Sequence, residues 1–148
     1  MTQTAAGSTL AISSAAPATQ DAAGYGALTY TTVGGVEKLG TIGASFAKVE
    51  FQPLNGPKEK LKGSADYGSL QPSMAHNETD AGQVLLRTAA DNQTNALYSV
   101  KVTYQDGAKR FFQGRVFGYP ENSDGADTVL MGNPTIEVCT QVVRVAGP

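Results

Sequence analysis

Two alternating runs around Asp106-Gly107, within Leu97 to Tyr119 (LYSVKVTYQDGAKRFFQGRVFGY), constrain this chain more than any other stretch. In the first run Tyr98, Val100, Val102 and Tyr104 fall on one face, with Ser99, Lys101 and Thr103 on the other. That period of two suits a half-buried strand and fits no helix. Asp-Gly tolerates positive φ at both central positions of a tight turn, so Asp106 and Gly107 predict the turn of a β-hairpin. In the second run Phe111, Gln113, Arg115, Phe117 and Tyr119 share one face, and Phe112 and Val116 the other. Apolar groups on both faces predict a strand covered on two sides. Gly114 and Gly118 interrupt it, which predicts a bulge or a close approach by another backbone. The hairpin is the expected centre of a β domain.

A chain of 148 residues, 41% of them hydrophobic, corresponds to about one domain with enough mass for a core. Only 16% of residues are charged, against about 25% in typical soluble proteins. A surface that poor in charge is one hidden by self-association, or one extended by polar arms. The net charge of −2 gives no electrostatic footprint for gripping DNA or an anionic membrane. A single cysteine, Cys139, excludes an intramolecular disulfide framework and a Cys-based zinc site, and reads as a small buried hydrophobe in a strand. No run approaches the ~18 apolar residues of a membrane span. The opening MTQTAAGSTLAISSAAPATQ has neither a basic region nor a continuous apolar core, so it does not read as a secretory signal, and intracellular assembly is the expectation.

Residues 1–20 are rich in Ala, Ser and Thr and read as a flexible arm in which Leu10 and Ile12 mark one short strand or a docking segment. The domain is expected over 21–145, with 146–148 as a short tail. Asp21 to Gly26 reads as a turn, and Ala27 to Val36 as a strand ending at Gly34-Gly35. Phe46 to Phe51 alternates Phe46, Lys48, Glu50 against Ala47, Val49, Phe51. Pro53, Leu54, Asn55, Gly56 and Pro57 then form a loop that cannot join a sheet ladder. Lys58, Lys60 and Lys62 share a face of the return run and read as a solvated edge that blocks strand addition rather than as a binding patch. Asn77 to Ala90 is the one helix expected, capped by Asn77, with Glu78 and Asp80 at its dipole-favoured start. Ala81, Val84 and Leu85 give it an apolar docking stripe. Pro120 to Asp127 is a polar loop, and Thr135 to Val145 reads as one long alternating strand. The sum is a mainly β fold, a sandwich or barrel with one flanking α-helix.

Chemistry is sparse. His76, the only histidine, has no local nucleophile or carboxylate motif and reads as a loop histidine. No phosphate-cradling glycine motif and no nucleophile elbow occurs. Glu121, Asp124 and Asp127 lack the ligand order of a calcium loop and read as solvated charge. Without Trp, the usual sugar-stacking platform is missing. The expectation is a non-enzyme with no cofactor and no metal.

Two stretches resemble the tail tube (major tail) proteins of long-tailed bacteriophages. One is GSADYGSLQPSMAHNETDAGQVLLRTAA, residues 63–90, with Asp80-Ala81-Gly82-Gln83 at a helix start followed by Leu85-Leu86. The other is FFQGRVFGYPENSDGADTVLMGNPTIEVCTQVVRV, residues 111–145, with a strand ending F-x-G-x-V-x-x-Y-P, an acidic loop and a last strand carrying Ile136. With YGALTYTTVGGVEKLGTIG near the start, the resemblance spans roughly residues 24–145. Thr140-Gln141 departs from the Thr-Gly pair expected before the last apolar strand.

The resemblance implies a β-sandwich subunit with one flanking helix. Six copies would close into a ring, and rings would stack into a tube that conducts genomic DNA. The partners implied are further copies of the chain, a tape measure, a tail terminator and a distal tail protein, with DNA passing unbound and no membrane. The location implied is the virion tail, after assembly in the host cytoplasm. Pairing edges across subunits would remove exposed strands, and a repeated heterologous contact would give an open filament. The arm before residue 20, the loop Pro53–Pro57 and the tail after Val145 would be contact segments. Because a lysine-lined bore would hold DNA, whose charge density is about one per 1.7 Å, the lumen is expected to be neutral or acidic. Two other readings stay open: a tube protein of a contractile injection or secretion system, and a soluble β-sandwich module binding carbohydrate or a host surface.

Overall fold

The structure, a computed structural model, describes residues 2–147, so Met1 of the expected arm and Pro148 of the expected tail lie outside the described residues. In chain order the first elements are β1 (Thr9–Ser13), α1 (Ala22–Gly26), β2 (Thr31–Val33), β3 (Val36–Lys38), β4 (Ser45–Phe51), β5 (Glu59–Asp66), β6 (Ser69–Leu70) and β7 (Ser73–Ala75). Then follow α2 (Ala81–Asp91), β8 (Tyr98–Thr103), β9 (Lys109–Gly118), β10 (Glu121–Asn122), β11 (Met131–Gly132), β12 (Thr135–Val138) and β13 (Val143–Val145). The fold is mainly β, built on antiparallel sheets.

The alternating runs form β8 and β9, paired from Tyr98↔Gly114 to Thr103↔Lys109. Their turn differs from the expected one. Gly107 alone takes positive φ, at 89°, and its N–H donates to the Tyr104 carbonyl at 3.0 Å. The Asp106 side chain accepts from Ala108 N at 3.0 Å. Asp106 therefore keeps a negative φ, and its carboxylate holds the turn where positive φ was expected.

Around this hairpin runs a seven-stranded sheet in the order β2-β1-β8-β9-β12-β6, with β13 also on β9. Within the expected arm, the short strand read at Leu10 and Ile12 is present as residues 9–13. Leu10 and Ile12 alternate inward, and β1 inserts between β2 and β8 with both side chains fully buried. Burying two such aliphatic chains is worth about 1.5–3 kcal/mol each, which outweighs the polar composition around them. The expected single strand 135–145 is two strands on one edge of β9. Between them Gln113 N donates to the Thr140 hydroxyl at 2.9 Å in place of a ladder carbonyl. The break falls at Thr140-Gln141, where the sequence departs from the Thr-Gly pair.

One face of this sheet carries Leu10, Ile12, Val100, Val102, Phe112 and Ile136 into the core, against Leu86 and Ala89 of α2 and Met74 of a smaller sheet, β10-β11-β7-β3. On the other face Phe111 stacks on Tyr25 at 5.5 Å, and Tyr30 lies 6.0 Å away. The two-sided cover read from Phe111 and Phe112 is thus explained. Tyr25 belongs to α1, so the expected turn 21–26 is a one-turn helix capped by Asp21, whose Oδ1 accepts from Gly24 N at 2.8 Å.

The docking stripe of α2 is corrected. The N-cap is Asp80, not Asn77, which instead turns onto Thr79. Gly82, Gln83, Leu86 and Ala89 face inward, whereas Ala81 and Val84 are exposed and Leu85 is half-buried. Two contacts rotate the stripe. Gly82 sits so close to β2 that a Cβ would collide with the Thr32 carbonyl, and the polar Gln83 turns inward onto four hydrogen bonds. An apolar count along the sequence cannot see either one.

Candidate functional site

Among the described residues, the hairpin of β4 and β5 is the sheet that pairs with no other. These strands pair only with each other, from Ser45↔Asp66 to Phe51↔Glu59, and every residue of β4 is exposed. An isolated two-stranded hairpin is marginal in water. This one carries Phe46, Val49, Phe51, Leu54 and Leu61 exposed, with Phe51 at 57% and Leu54 at the tip completely uncovered. Contiguous exposed apolar surface of this kind marks an interaction site.

Its two faces differ in chemistry. Ala47, Val49, Phe51, Glu59 and Leu61 project to one side, and Val49 lies directly opposite Leu61. Phe46, Lys48, Glu50, Lys60 and Lys62 project to the other. There the Glu50 carboxylate is held between Lys58 at 2.8 Å and Lys48 at 2.9 Å. The hydrogen bonds from Lys58 and then Lys48 keep its carboxyl below the usual carboxylate range. Being exposed, these pairs add little to stability. Lys62, placed opposite Lys48, lies over the Phe46 ring at 4.9 Å. The basic face thus carries more lysine than carboxylate, and like charges opposed on it disfavour strand addition.

The loop residues singled out in the sequence, Pro53, Leu54, Asn55, Gly56 and Pro57, form the tip of this arm. Gln52 Nε2 fastens it by donating to the Pro53 and Gly56 carbonyls, both at 3.0 Å. Ala81, Val84 and Leu85 lie elsewhere, on α2. Asp106-Gly107 closes the β8–β9 hairpin, and Tyr104 just before it lines a cavity of about 620 Å³ together with Phe46 at the arm's base.

Sequence reasoning left His76 without carboxylate partners, but the fold supplies them. Its Nε2 lies 2.7 Å from Glu78, its Nδ1 3.9 Å from Glu121, and Arg87 Nη1 is 3.4 Å from Nδ1. His76 and then Arg87 hold the Glu78 carboxyl below its usual range. Three ligand atoms within 4.8 Å of one another could in principle take a cation. The adjacent guanidinium, ion-paired to Glu78 at 3.8 Å, and the hydrogen bond already made by Nε2 occupy the cluster instead, tying His76 to α2. Cys139 is half-buried rather than buried, with its Sγ 3.2 Å from Arg115 Nη1. No helix among the described residues is long and apolar enough to cross a membrane.

With this geometry in view, similarity to known proteins is informative at one level only. No protein-family model and no curated protein matches the chain in sequence. Among solved structures, a chain of the sixfold-symmetrised anti-feeding prophage baseplate superposes with a TM-score of 0.72, at 6% identity, over 99% of this chain and 98% of that one. The chain has a tail-tube-like fold. A chain of the sheath/tube terminator of the extracellular contractile injection system PVC gives 0.64 at 11% identity, over 99% and 98%. A chain of the PVC sheath-tube complex gives 0.60 at 10% identity, over 94% and 88%. At such identities the likeness is one of fold. The mainly β sandwich with a flanking helix implied by the resemblance is the observed architecture.

Proposed function

We propose that this chain is a structural, non-catalytic subunit of a phage-type tail or injection apparatus. Copies close into six-membered rings, and the rings stack around a lumen that passes genomic DNA. The observation that carries the reading is the β4–β5 arm, an ordered hairpin with an apolar face and no partner strand among the described residues of its own subunit. Covering that face with another copy would bury side chains worth about 1.5–3 kcal/mol each. The sparse charge and the net charge of −2 suit a conduit that must not hold DNA. The likeness to chains from contractile assemblies supports a contractile setting. Tape measure, terminator and distal tail proteins are the heterologous partners of such a tube, and the virion tail, assembled in the host cytoplasm, is its location.

A second reading is favoured by one observation, the higher TM-score to a baseplate chain than to a sheath-tube chain. On it, the subunit forms a ring at the end of a tube and does not stack on itself.

Electron microscopy of the purified full chain tests both. Stacked rings or filaments with a central hole support the tube, and single rings the terminal position. Monomers at every concentration contradict both.

A further inference from the structure

Arg110 of β9 and Arg144 of β13 are direct cross-strand partners on the same face. Like charges in that position repel, and among the described residues neither guanidinium has a carboxylate within 4.0 Å. Arg110 stacks on Tyr104 at 5.1 Å and donates to the Lys109 carbonyl at 2.9 Å. Both arginines line the cavity of about 620 Å³, whose remaining walls include Phe46, Tyr67 and Val142. Two unneutralised guanidinium forks in a mostly polar cavity, with Phe46, Tyr67 and Val142 beside them, suit carboxylates, which they can grip bidentately.

The matching groups lie on the same chain. The loop after β10 exposes Asp124 and Asp127, neither in an ion pair among the described residues, followed by exposed Val129 and Leu130. A turn from Gly125 to Thr128, closed by two hydrogen bonds at 2.7 and 3.1 Å, holds the loop in shape. Arg110 stands near the start of β9, and the loop follows its far end. Eight steps of about 3.3 Å carry β9 from Arg110 to Gly118, roughly 26 Å. Within one subunit the loop's carboxylates make no ion pair with either arginine among the described residues.

We propose that the Arg110–Arg144 cavity receives the Asp124–Leu130 loop of a second copy, head to tail along β9. The carboxylates seat on the arginines, and Val129 and Leu130 against Phe46, Tyr67 and Val142. The contact is heterologous, so it propagates into a ring or a filament. The inference rests on the self-assembly reading and assigns it a contact.

Sedimentation velocity on the full chain tests it with Arg144→Glu, Asp127→Lys and the two combined. Each single reversal is expected to raise the concentration needed for association by on the order of tenfold or more, as for a buried interfacial charge pair. The combination is expected to recover most of that loss. Arg144→Gln is expected to weaken association while leaving the melting temperature unchanged or raised, since it relieves the repulsion with Arg110. That pattern separates a docking role from a structural one. If wild type associates and the reversals do not matter, or the combination is no better than the singles, the inference falls and the self-assembly reading survives. If wild type never associates, both fall. Binding of duplex DNA that Arg144→Glu abolishes while association persists would assign the pair to phosphate and overturn the inference.

Discussion

Gln83 and Gly34 are joined by a 2.8 Å hydrogen bond from the glutamine Nε2 to the glycine carbonyl, across 49 positions of sequence. The same nitrogen donates to Ala75 O at 2.8 Å. Its Oε1 accepts from Asn77 N at 2.8 Å and from Tyr119 OH at 3.2 Å. One fully buried side chain thus ties α2 to the β2–β3 turn, β7 and the end of β9. Gln83→Leu keeps the volume but removes both donors and the acceptor. With ~1–3 kcal/mol per stranded group, a loss of at least ~3 kcal/mol is expected in urea unfolding.

Gly114 and Gly118 occupy one strand for different reasons, and substitution separates them. A Cβ on Gly114 would lie 2.5 Å from the Glu137 carbonyl, so Gly114→Ala is expected to cost about 1–3 kcal/mol through overpacking. Gly118 has open space around it and sits at a register shift between β9 and β12. Gly118→Ala is expected to be neutral or to stabilise by a few tenths of a kcal/mol up to ~1. Thermal melts of the two variants side by side check this.

Burial, with a smaller contribution from Tyr25, pushes the Tyr30 phenol up to about 12 from 10.0. A group that holds its proton more tightly when folded contributes stability that is complete below its unfolded value. That contribution is lost as pH rises from about 10 to about 12. Melting temperature is expected to fall across that window, and Tyr30→Phe to flatten the fall.

The arm's apolar face should matter between subunits and not within one. Phe51→Ser with Leu54→Ser is expected to leave unfolding of the monomer within ~0.5 kcal/mol of wild type, as for surface substitutions, while abolishing association. A large loss of monomer stability would mean the arm packs on its own subunit.

Much of the fold was legible because its strongest signals are local. The alternation of Tyr98 to Val102, the paired faces of Phe111 and Phe112, and the turn glycine Gly107 act through neighbours and needed no tertiary information. The arm was half legible: the alternation of Phe46 to Phe51 gave the strands, but nothing local says that β4 and β5 join no other sheet. Leu10 and Ile12 looked weak because their worth comes from two flanking strands distant in sequence. The α2 stripe was misphased because Gln83 satisfies its amide inside, which only the partners Gly34, Ala75, Asn77 and Tyr119 make possible. The Arg110–Arg144 pair depends on the break at Thr140, which resets the register of β13, and that break rests on a hydroxyl bonding 27 residues away.

Sedimentation velocity of the unmodified chain over a wide concentration range tests the central claim most directly. The account predicts conversion of the 15.3 kDa monomer into ring-sized and larger species as concentration rises. A single 15.3 kDa species throughout, with the arm still uncovered, would contradict it.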